Sequence, residues 1–110
     1  MNFDTEKYLI DDSASIKEAL IKVEENHYGM IFTKSSVGKV VGLATDGDIR
    51  RALLRGVSLE DSISFCVNRE FVSASTDFSR ERLLKRLDGN IRFIPILDKS
   101  GKLHSIVSKD

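Results

Sequence analysis

An internal repeat constrains the fold of this chain more than any other feature. The pair Gly38-Lys39 recurs as Gly101-Lys102, at an offset of 101 − 38 = 63 residues. Carried along the chain without gaps, this offset sets apolar positions of one half against apolar positions of the other. The repeat therefore predicts two similar structural units in the 110 residues, which we place at 1–63 and 64–110.

The apolar pattern predicts the order strand, helix, strand, strand, helix for each unit. A capping box at Ser15–Glu18 begins the first helix, whose apolar residues recur at helical spacing to Val23. The elements predicted in the first unit are a strand at Tyr8–Ile10, a helix from Ile16 to about Asn26, strands at Met30–Phe32 and Lys39–Ala44, and a helix after Thr45 that ends at Gly56.

The second unit repeats this pattern but stops early. The offset of 63 pairs Tyr8 with Phe71 and Leu20 with Leu83, and it pairs Asp48 with a position beyond the chain. The elements predicted here are a strand near Phe71-Val72, a helix near Ser79–Leu87, and strands at Phe93–Leu97 and Leu103–Val107. We therefore expect a second unit that is truncated before its last helix, and a chain that continues in a longer protein.

These elements predict an α+β fold. Each unit places its helices on one side of a small mixed sheet, and the two sheets face each other about a pseudo-twofold axis. A chain of this length forms one modest core. The arrangement puts the corners at Thr45 and Ser108, which the offset pairs, in related clefts between the units, where small molecules commonly bind.

Composition narrows the classes of partner. The 17 Lys and Arg residues balance 17 Asp and Glu residues, so the net charge gives no reason to expect nucleic acid or an anionic membrane. No apolar run is long enough to span a bilayer. The one cysteine, Cys66, has no disulfide partner within the chain, which favours a cytoplasmic location. No catalytic grouping or metal-ligand spacing is visible, so we expect neither catalysis nor a metal site in these residues.

The corner after Val40–Ala44 carries the residues of greatest functional interest. Thr45 supplies a hydroxyl at the carboxyl end of the strand, and Asp48 supplies a carboxylate in the first helical turn. Thr-x-x-Asp is also the pattern of a capping box, in which both side chains only satisfy backbone donors. The free N–H groups of a first turn attract anions, so the same residues suit a ligand site. Spacing alone leaves both interpretations open.

Both units resemble cystathionine β-synthase (CBS) domains, which pair into a Bateman module. The resemblance covers residues 8–110 and rests on Gly-Lys-Val-Val-Gly-Leu-Ala-Thr-Asp-Gly-Asp-Ile-Arg-Arg at 38–51 and Phe-Ile-Pro-Ile-Leu-Asp-Lys-Ser-Gly-Lys-Leu at 93–103. The stretch Thr45–Asp61 is similar to CBS pairs at the N-terminus of sugar-phosphate nucleotidyltransferases. Such modules are regulatory and bind adenosine-containing ligands such as AMP, ADP, ATP or S-adenosylmethionine.

The resemblance also assigns roles to residues at the corner. The family's ribose-binding pattern, Gly-h-x-Thr/Ser-x-x-Asp with h apolar, falls on Gly42, Thr45 and Asp48. A carboxylate accepts hydrogen bonds from both ribose hydroxyls, and Arg50 or Arg51 suits the phosphate groups. With the family considered, we favour a ligand role for Asp48 over a cap alone.

The same resemblance extends the site beyond this corner. We expect an apolar slot for the adenine ring formed by Leu9, Ile10, Ile31 and Phe32. Ser108 keeps the hydroxyl of the corner in the second unit, while the aspartate that would follow it lies beyond the chain.

The resemblance implies a regulatory module without catalytic activity of its own. We expect its ligand to control an attached enzyme, a sugar-phosphate nucleotidyltransferase domain on the C-terminal side, and we expect the module to form a homodimer. The alternative is a structural dimerisation module that binds no ligand.

Overall fold

A computed structural model describes residues 4–108 of the chain, so that the outermost residues of the two predicted units, 1–3 and 109–110, lie outside the described part. Its strands are β1 (Leu9–Asp11), β2 (Met30–Lys34), β3 (Val40–Thr45), β4 (Ala74–Ser75), β5 (Phe93–Leu97) and β6 (Leu103–Ser108). Its helices are α1 (Ile16–Asn26), α2 (Asp46–Leu54) and α3 (Arg80–Arg86), with 3-10 helices at Thr5–Tyr8 and Ile63–Phe65. Within 4–108, no helix has the length and apolar character needed to cross a membrane.

Two three-stranded sheets share one topology. In the first, β1 and β2 are parallel and are joined through α1, while β2 and β3 form an antiparallel hairpin. The second sheet has the order β4-β5-β6 with the same strand directions. Parallel neighbours need a crossover connection, which α1 and α3 provide. The predicted α+β fold of two repeated units is therefore confirmed, and no helix follows β6 in the described part of the chain.

Apolar side chains form a core on each helix side and a third core between the sheets. Successive residues of a strand point to opposite faces, so Ile31 packs with α1 and α2 while its neighbour Phe32 points toward the second sheet. The core between the sheets also contains Phe93 of β5, and α3 packs on the far side of that strand around Ile94. Phe32 is fully buried, which contributes about 1.5–3 kcal/mol to the stability of the sheet contact.

The first strand of the second unit begins later than the sequence predicted. β4 begins at Ala74, whereas Phe71-Val72 forms no strand. The parallel registers establish the equivalent positions, because Ile10 pairs with Thr33 as Ala74 pairs with Ile96. The offset at this strand is therefore 74 − 10 = 64 residues.

The capping residues of α1 and α3 give the same correction. Ser15 and Ser79 differ by 79 − 15 = 64, whereas the corners Thr45 and Ser108, at the ends of the hairpins, differ by 108 − 45 = 63. The ungapped alignment is thus wrong by one residue for the first strand and helix of the second unit. The difference arises between α3 and β5, where a loop tolerates a change of length.

Larger side chains fill the helix side of the second unit. Ala19 and Ala44 of the first unit correspond to Leu83 and Val107, and all four are buried. In the first unit, α2 packs against β3 over Ala44. The second unit has no equivalent helix among residues 4–108, and the added volume of Leu and Val keeps its smaller core filled.

The hairpin turns of the two units meet at the pseudo-twofold axis. A Cβ atom built on Gly38 would lie 3.2 Å from Cε of Lys102, and one built on Gly101 would lie 3.2 Å from Cγ of Lys39. The repeated Gly-Lys pair therefore makes a reciprocal contact, in which each glycine leaves room for the lysine of the other unit. The N–H of Val40 also donates to the carbonyl of Gly101 at 2.9 Å.

We expect Gly42→Ala to destabilise the fold by about 1–3 kcal/mol, because overpacking a close contact forces its neighbours to move. A Cβ atom on Gly42 would lie 2.8 Å from Oγ1 of Thr33 and 2.8 Å from Cβ of Val67. Gly89→Ala is the matched control, since nothing lies within 4 Å of its Cβ position. Urea unfolding of both variants measures the difference, and an equal effect would contradict the packing role of Gly42.

Candidate functional site

The corner between β3 and α2 forms the predicted capping box. Thr45 is the N-cap, and its Oγ1 accepts the backbone N–H of Asp48 at 3.2 Å. In return, Oδ2 of Asp48 accepts the backbone N–H of Thr45 at 3.0 Å. These two bonds hold the carboxylate in one orientation at the start of the helix.

The cap uses only part of the hydrogen-bonding capacity of Asp48. The second oxygen, Oδ1, accepts a hydrogen bond from Nη2 of Arg51 at 2.9 Å. The side chain of Asp48 keeps 30% of its surface exposed, and that of Arg51 keeps 64%. Since an ionised carboxylate offers about four acceptor positions, Asp48 is able to cap the helix and also face a ligand.

Asp48 lies in a cleft of about 730 Å³ between the two units. Both units contribute walls, and the main contributors are Tyr28, Thr45, Asp48, Arg50, Arg51, Asn68, Asn90 and Arg92. Including Asp46, the cleft carries three arginines and two aspartates. It therefore suits an anionic or strongly polar ligand.

A smaller annex of about 120 Å³ continues from this cleft. Its apolar wall consists of Leu43, Phe71, Val72, Ile91 and Phe93, and its polar residues include Thr45, Asn68, Glu70, Asn90 and Arg92. The annex is smaller than the apolar cavity of about 150 Å³ that holds a benzene molecule, so a larger planar ring would extend from the annex into the cleft. The cleft and its annex together offer adjoining polar and apolar surfaces.

Backbone hydrogen bonds bring the walls together. The N–H of Asp46 donates to the carbonyl of Gly29 at 2.9 Å, which fixes the corner against the start of β2. Leu43 and Asn68 exchange two backbone hydrogen bonds, of 3.0 and 2.8 Å, so the segment that leads to β4 lies along β3. This pairing places Asn68 beside the corner at Thr45.

The loop that contributes Asn90 is held by one carboxylate. Oδ1 of Asp88 accepts the N–H groups of Asn90 and Ile91, both at 2.7 Å. The N–H of Asp88 also donates to the carbonyl of Ile91 at 2.9 Å. Asp88 thereby fixes the approach to Arg92, which lines both the cleft and the annex.

An aromatic group borders the cleft, which Tyr28 lines. The rings of Tyr28 and Phe93 stack with centroids 5.9 Å apart, and the ring centroids of Tyr8 and Tyr28 are 4.9 Å apart. The guanidinium of Arg92 lies 5.5 Å from the ring centroid of Phe93. Burial, together with the neighbouring Tyr28, raises the pKa of the Tyr8 hydroxyl. These contacts fix Arg92 at the mouth of the annex.

The structure brings together only some of the residues that the sequence singled out. Thr45, Asp48, Arg50 and Arg51 all line the cleft. Gly42 is buried in β3 next to this corner, where it leaves room for packing.

The expected adenine slot lies elsewhere. Ile31 and Phe32 are fully buried on opposite faces of β2, so neither side chain reaches the cleft. Leu9 and Ile10 line a separate cavity of about 380 Å³ next to α1. Ser108 ends β6 opposite Phe93 and is not among the residues that line the cleft or its annex.

The residues missed from the sequence all belong to the second unit, and some of them precede β4. They are Asn68, Phe71, Val72, Asn90, Ile91 and Arg92. Their positions depend on how the units dock, which a pattern within one unit does not specify. The available signal was the predicted pseudo-twofold arrangement, because it puts the corner of one unit in a cleft that the other unit also lines.

One protein family matches both units of the chain. The CBS domain family matches residues 4–55 and 61–110. The chain belongs to the CBS domain family. CBS pairs are regulatory modules, and the two matches account for the two units of the fold.

The curated relatives of this CBS pair are longer proteins. An uncharacterized protein of Helicobacter pylori is 44% identical over 55 residues, which cover 50% of this chain and 17% of that protein. The arabinose 5-phosphate isomerase GutQ of Shigella flexneri is 27% identical over 101 residues, which cover 87% of this chain and 30% of that protein. The matched region thus spans about a sixth of the first relative and under a third of the second.

Solved CBS pairs share the fold. A CBS domain protein of Pyrobaculum aerophilum, complexed with AMP, has a TM-score of 0.77 at 20% identity, over 94% of this chain and 85% of that chain. A CBS domain pair in complex with 5′-methylthioadenosine and S-adenosyl-L-methionine has a TM-score of 0.78 at 23% identity, over 91% and 79%. At these identities the likeness establishes the fold of the pair.

We expect Asp48→Ala to lower the free energy of unfolding by about 1–2 kcal/mol, because the variant loses a charged hydrogen bond at the helix N-terminus. The capping box of α1 provides a matched control, since Oε1 of Glu18 accepts the N–H of Ser15 at 3.4 Å. Glu18→Ala should have an equal or smaller effect because its bond is longer. Chemical denaturation checks both variants, and an Asp48→Ala variant as stable as the parent would show that the box contributes nothing.

Proposed function

We propose that this CBS pair is a regulatory module that binds an adenosine-containing nucleotide in the cleft and controls an attached enzyme. The observation that carries the proposal is the position of Asp48. Its oriented carboxylate lines a cleft that also holds three arginines and that shares lining residues with an apolar annex. A nucleoside phosphate offers a sugar diol to the carboxylate, an anion to the arginines and a base to the annex.

In this proposal the base enters the annex. Val72 and Ile91 supply apolar contacts, and the side chains of Asn68 and Asn90 offer donors and acceptors for the edge of a ring. These residues replace the slot expected from Leu9, Ile10, Ile31 and Phe32.

The ribose and phosphate occupy the larger cleft. The ribose hydroxyls donate to Asp48, and charge-assisted bonds of this type are stronger than neutral ones. Thr45 lies beside the same sugar, and Arg50, Arg51 and Arg92 are available to the phosphate. The N-terminus of α2 adds favourable potential for an anion.

Known CBS pairs support an adenosine ligand. The Pyrobaculum aerophilum protein was solved with AMP, and another pair was solved with S-adenosyl-L-methionine and 5′-methylthioadenosine. We carry this ligand class over to the present chain, and the arginines favour its phosphorylated members. We also propose that the protein acts in the cytoplasm and that its two repeats divide near residue 63.

Regulation follows from the position of the cleft between units. In this proposal the two units pack in two alternative arrangements. A ligand that contacts both walls shifts the equilibrium between them only by as much as it binds one arrangement more tightly than the other. We propose that an attached C-terminal catalytic domain, of the sugar-phosphate nucleotidyltransferase class, responds to this shift. Support for that class is the resemblance of the stretch Thr45–Asp61.

The alternative is a structural dimerisation module. Apolar side chains on the outer faces of three helices favour it, because Leu54 is 80%, Ile21 52% and Leu84 36% exposed. Such side chains often mark a protein interface when they form one patch. Homodimerisation is also compatible with ligand binding, so the two functions are tested separately.

Sedimentation of Leu54→Glu tests the dimer. We expect this change to shift the protein toward monomer, since it places a charge in the proposed apolar interface. Val37→Glu is the control, because Val37 is 66% exposed but lies in the hairpin turn of the first unit. A parent protein that is monomeric at high concentration would contradict the homodimer.

Calorimetric titration with AMP, ADP, ATP and S-adenosylmethionine tests the ligand. We expect saturable binding of at least one nucleotide, and a loss of about ten-fold or more in affinity for Asp48→Ala. Glu18→Ala loses a cap of the same design away from the cleft and should bind like the parent. The proposal fails if none of these compounds binds, or if Asp48→Ala binds as tightly as the parent.

A further inference from the structure

We propose that Arg51 makes the ribose site respond to the phosphate, so that the cleft selects phosphorylated adenosine ligands over adenosine itself. This inference rests on the proposed function and deepens it. Its basis is the ion pair between Nη2 of Arg51 and Oδ1 of Asp48, which are 2.9 Å apart. Among the described residues, Asp48 makes this ion pair with Arg51 and none with Arg50.

The ion pair competes with a ribose for the same carboxylate. Oδ2 of Asp48 already accepts the N–H of Thr45, so Oδ1 is the oxygen less committed to the cap. A sugar diol needs two acceptor positions on the open side of the carboxylate. The guanidinium of Arg51 occupies one of them, and its bulk covers part of the approach.

Gly47 permits this position of Arg51. A Cβ atom built on Gly47 would lie 3.1 Å from Nη1 and 3.4 Å from Nη2 of Arg51. Gly47 is not among the glycines with positive φ, so its backbone does not require glycine. Because Gly47 has no side chain, it leaves space for the guanidinium of Arg51 to fold back over the first turn of α2.

The ion pair is weak enough to exchange partners. Both groups are partly exposed, and pairs of this kind are worth only a few-fold in an equilibrium constant. An arriving phosphate offers the guanidinium a geometry that it binds in bidentate fashion. A phosphorylated ligand therefore breaks the ion pair between Arg51 and Asp48 but gives Arg51 a phosphate in its place. Adenosine breaks the same ion pair and gives Arg51 no new partner. The consequence is a preference for the phosphorylated ligand.

Titration of adenosine and AMP into the parent and three variants tests this inference. For Arg51→Ala we expect adenosine affinity to rise about two- to five-fold, and AMP affinity to fall about ten-fold. Gly47→Ala displaces the guanidinium but keeps its charge, so adenosine affinity should rise by a similar factor while AMP affinity is kept. Arg55→Ala is the control, because Arg55 is exposed at the end of α2 and does not line the cleft, and its adenosine affinity should equal that of the parent.

The outcomes separate this inference from the proposed function. Suppose that the parent binds AMP and that the parent, Arg51→Ala and Gly47→Ala all bind adenosine with the same affinity. This result would overturn the role of Arg51 but would leave the proposed nucleotide site unaffected. An adenosine affinity that rises equally in Arg55→Ala would also overturn it, because the effect would then be a general loss of positive charge. Failure of the parent and every variant to bind either compound would overturn both.

Discussion

The apolar contact between the two sheets is the interaction on which the site depends. Thr45 and Asp48 come from the first unit, while Asn90 and Arg92 come from the second, so neither unit has the cleft alone. The core between the sheets, with Phe32 at its centre, sets the distance between these walls. Because protein interiors are densely packed, a change at this contact moves the walls as units. Such coupling is what a regulatory module requires.

A single structural device serves both stability and recognition at the corner. The capping box starts α2 and at the same time fixes the direction in which the carboxylate of Asp48 points. A side chain that is oriented before binding loses less conformational freedom when a ligand arrives. The comparison with the capping box of Ser15 and Glu18 separates these roles, because that box lies on α1 and caps without lining the cleft.

The sequence predicted the repeat, the order of elements and the corner at Thr45 and Asp48, because each depends on local spacing. It did not predict the annex, since Val72 and Ile91 meet that corner only through docking of the two units. Ile31 and Phe32 were misplaced for a related reason. Both faces of β2 are buried, so apolar character alone does not tell which face meets a ligand and which meets a core.

Binding of the ligand between the two units is tested by titrating isotope-labelled protein with AMP and following the amide signals by NMR. We expect the largest shifts at Thr45, Asp48, Asn68, Asn90 and Arg92, on both walls of the cleft. We expect little change along the separate cavity beside Leu9 and Lys22. Shifts that concentrate at that cavity, or on one unit alone, would contradict binding between the units.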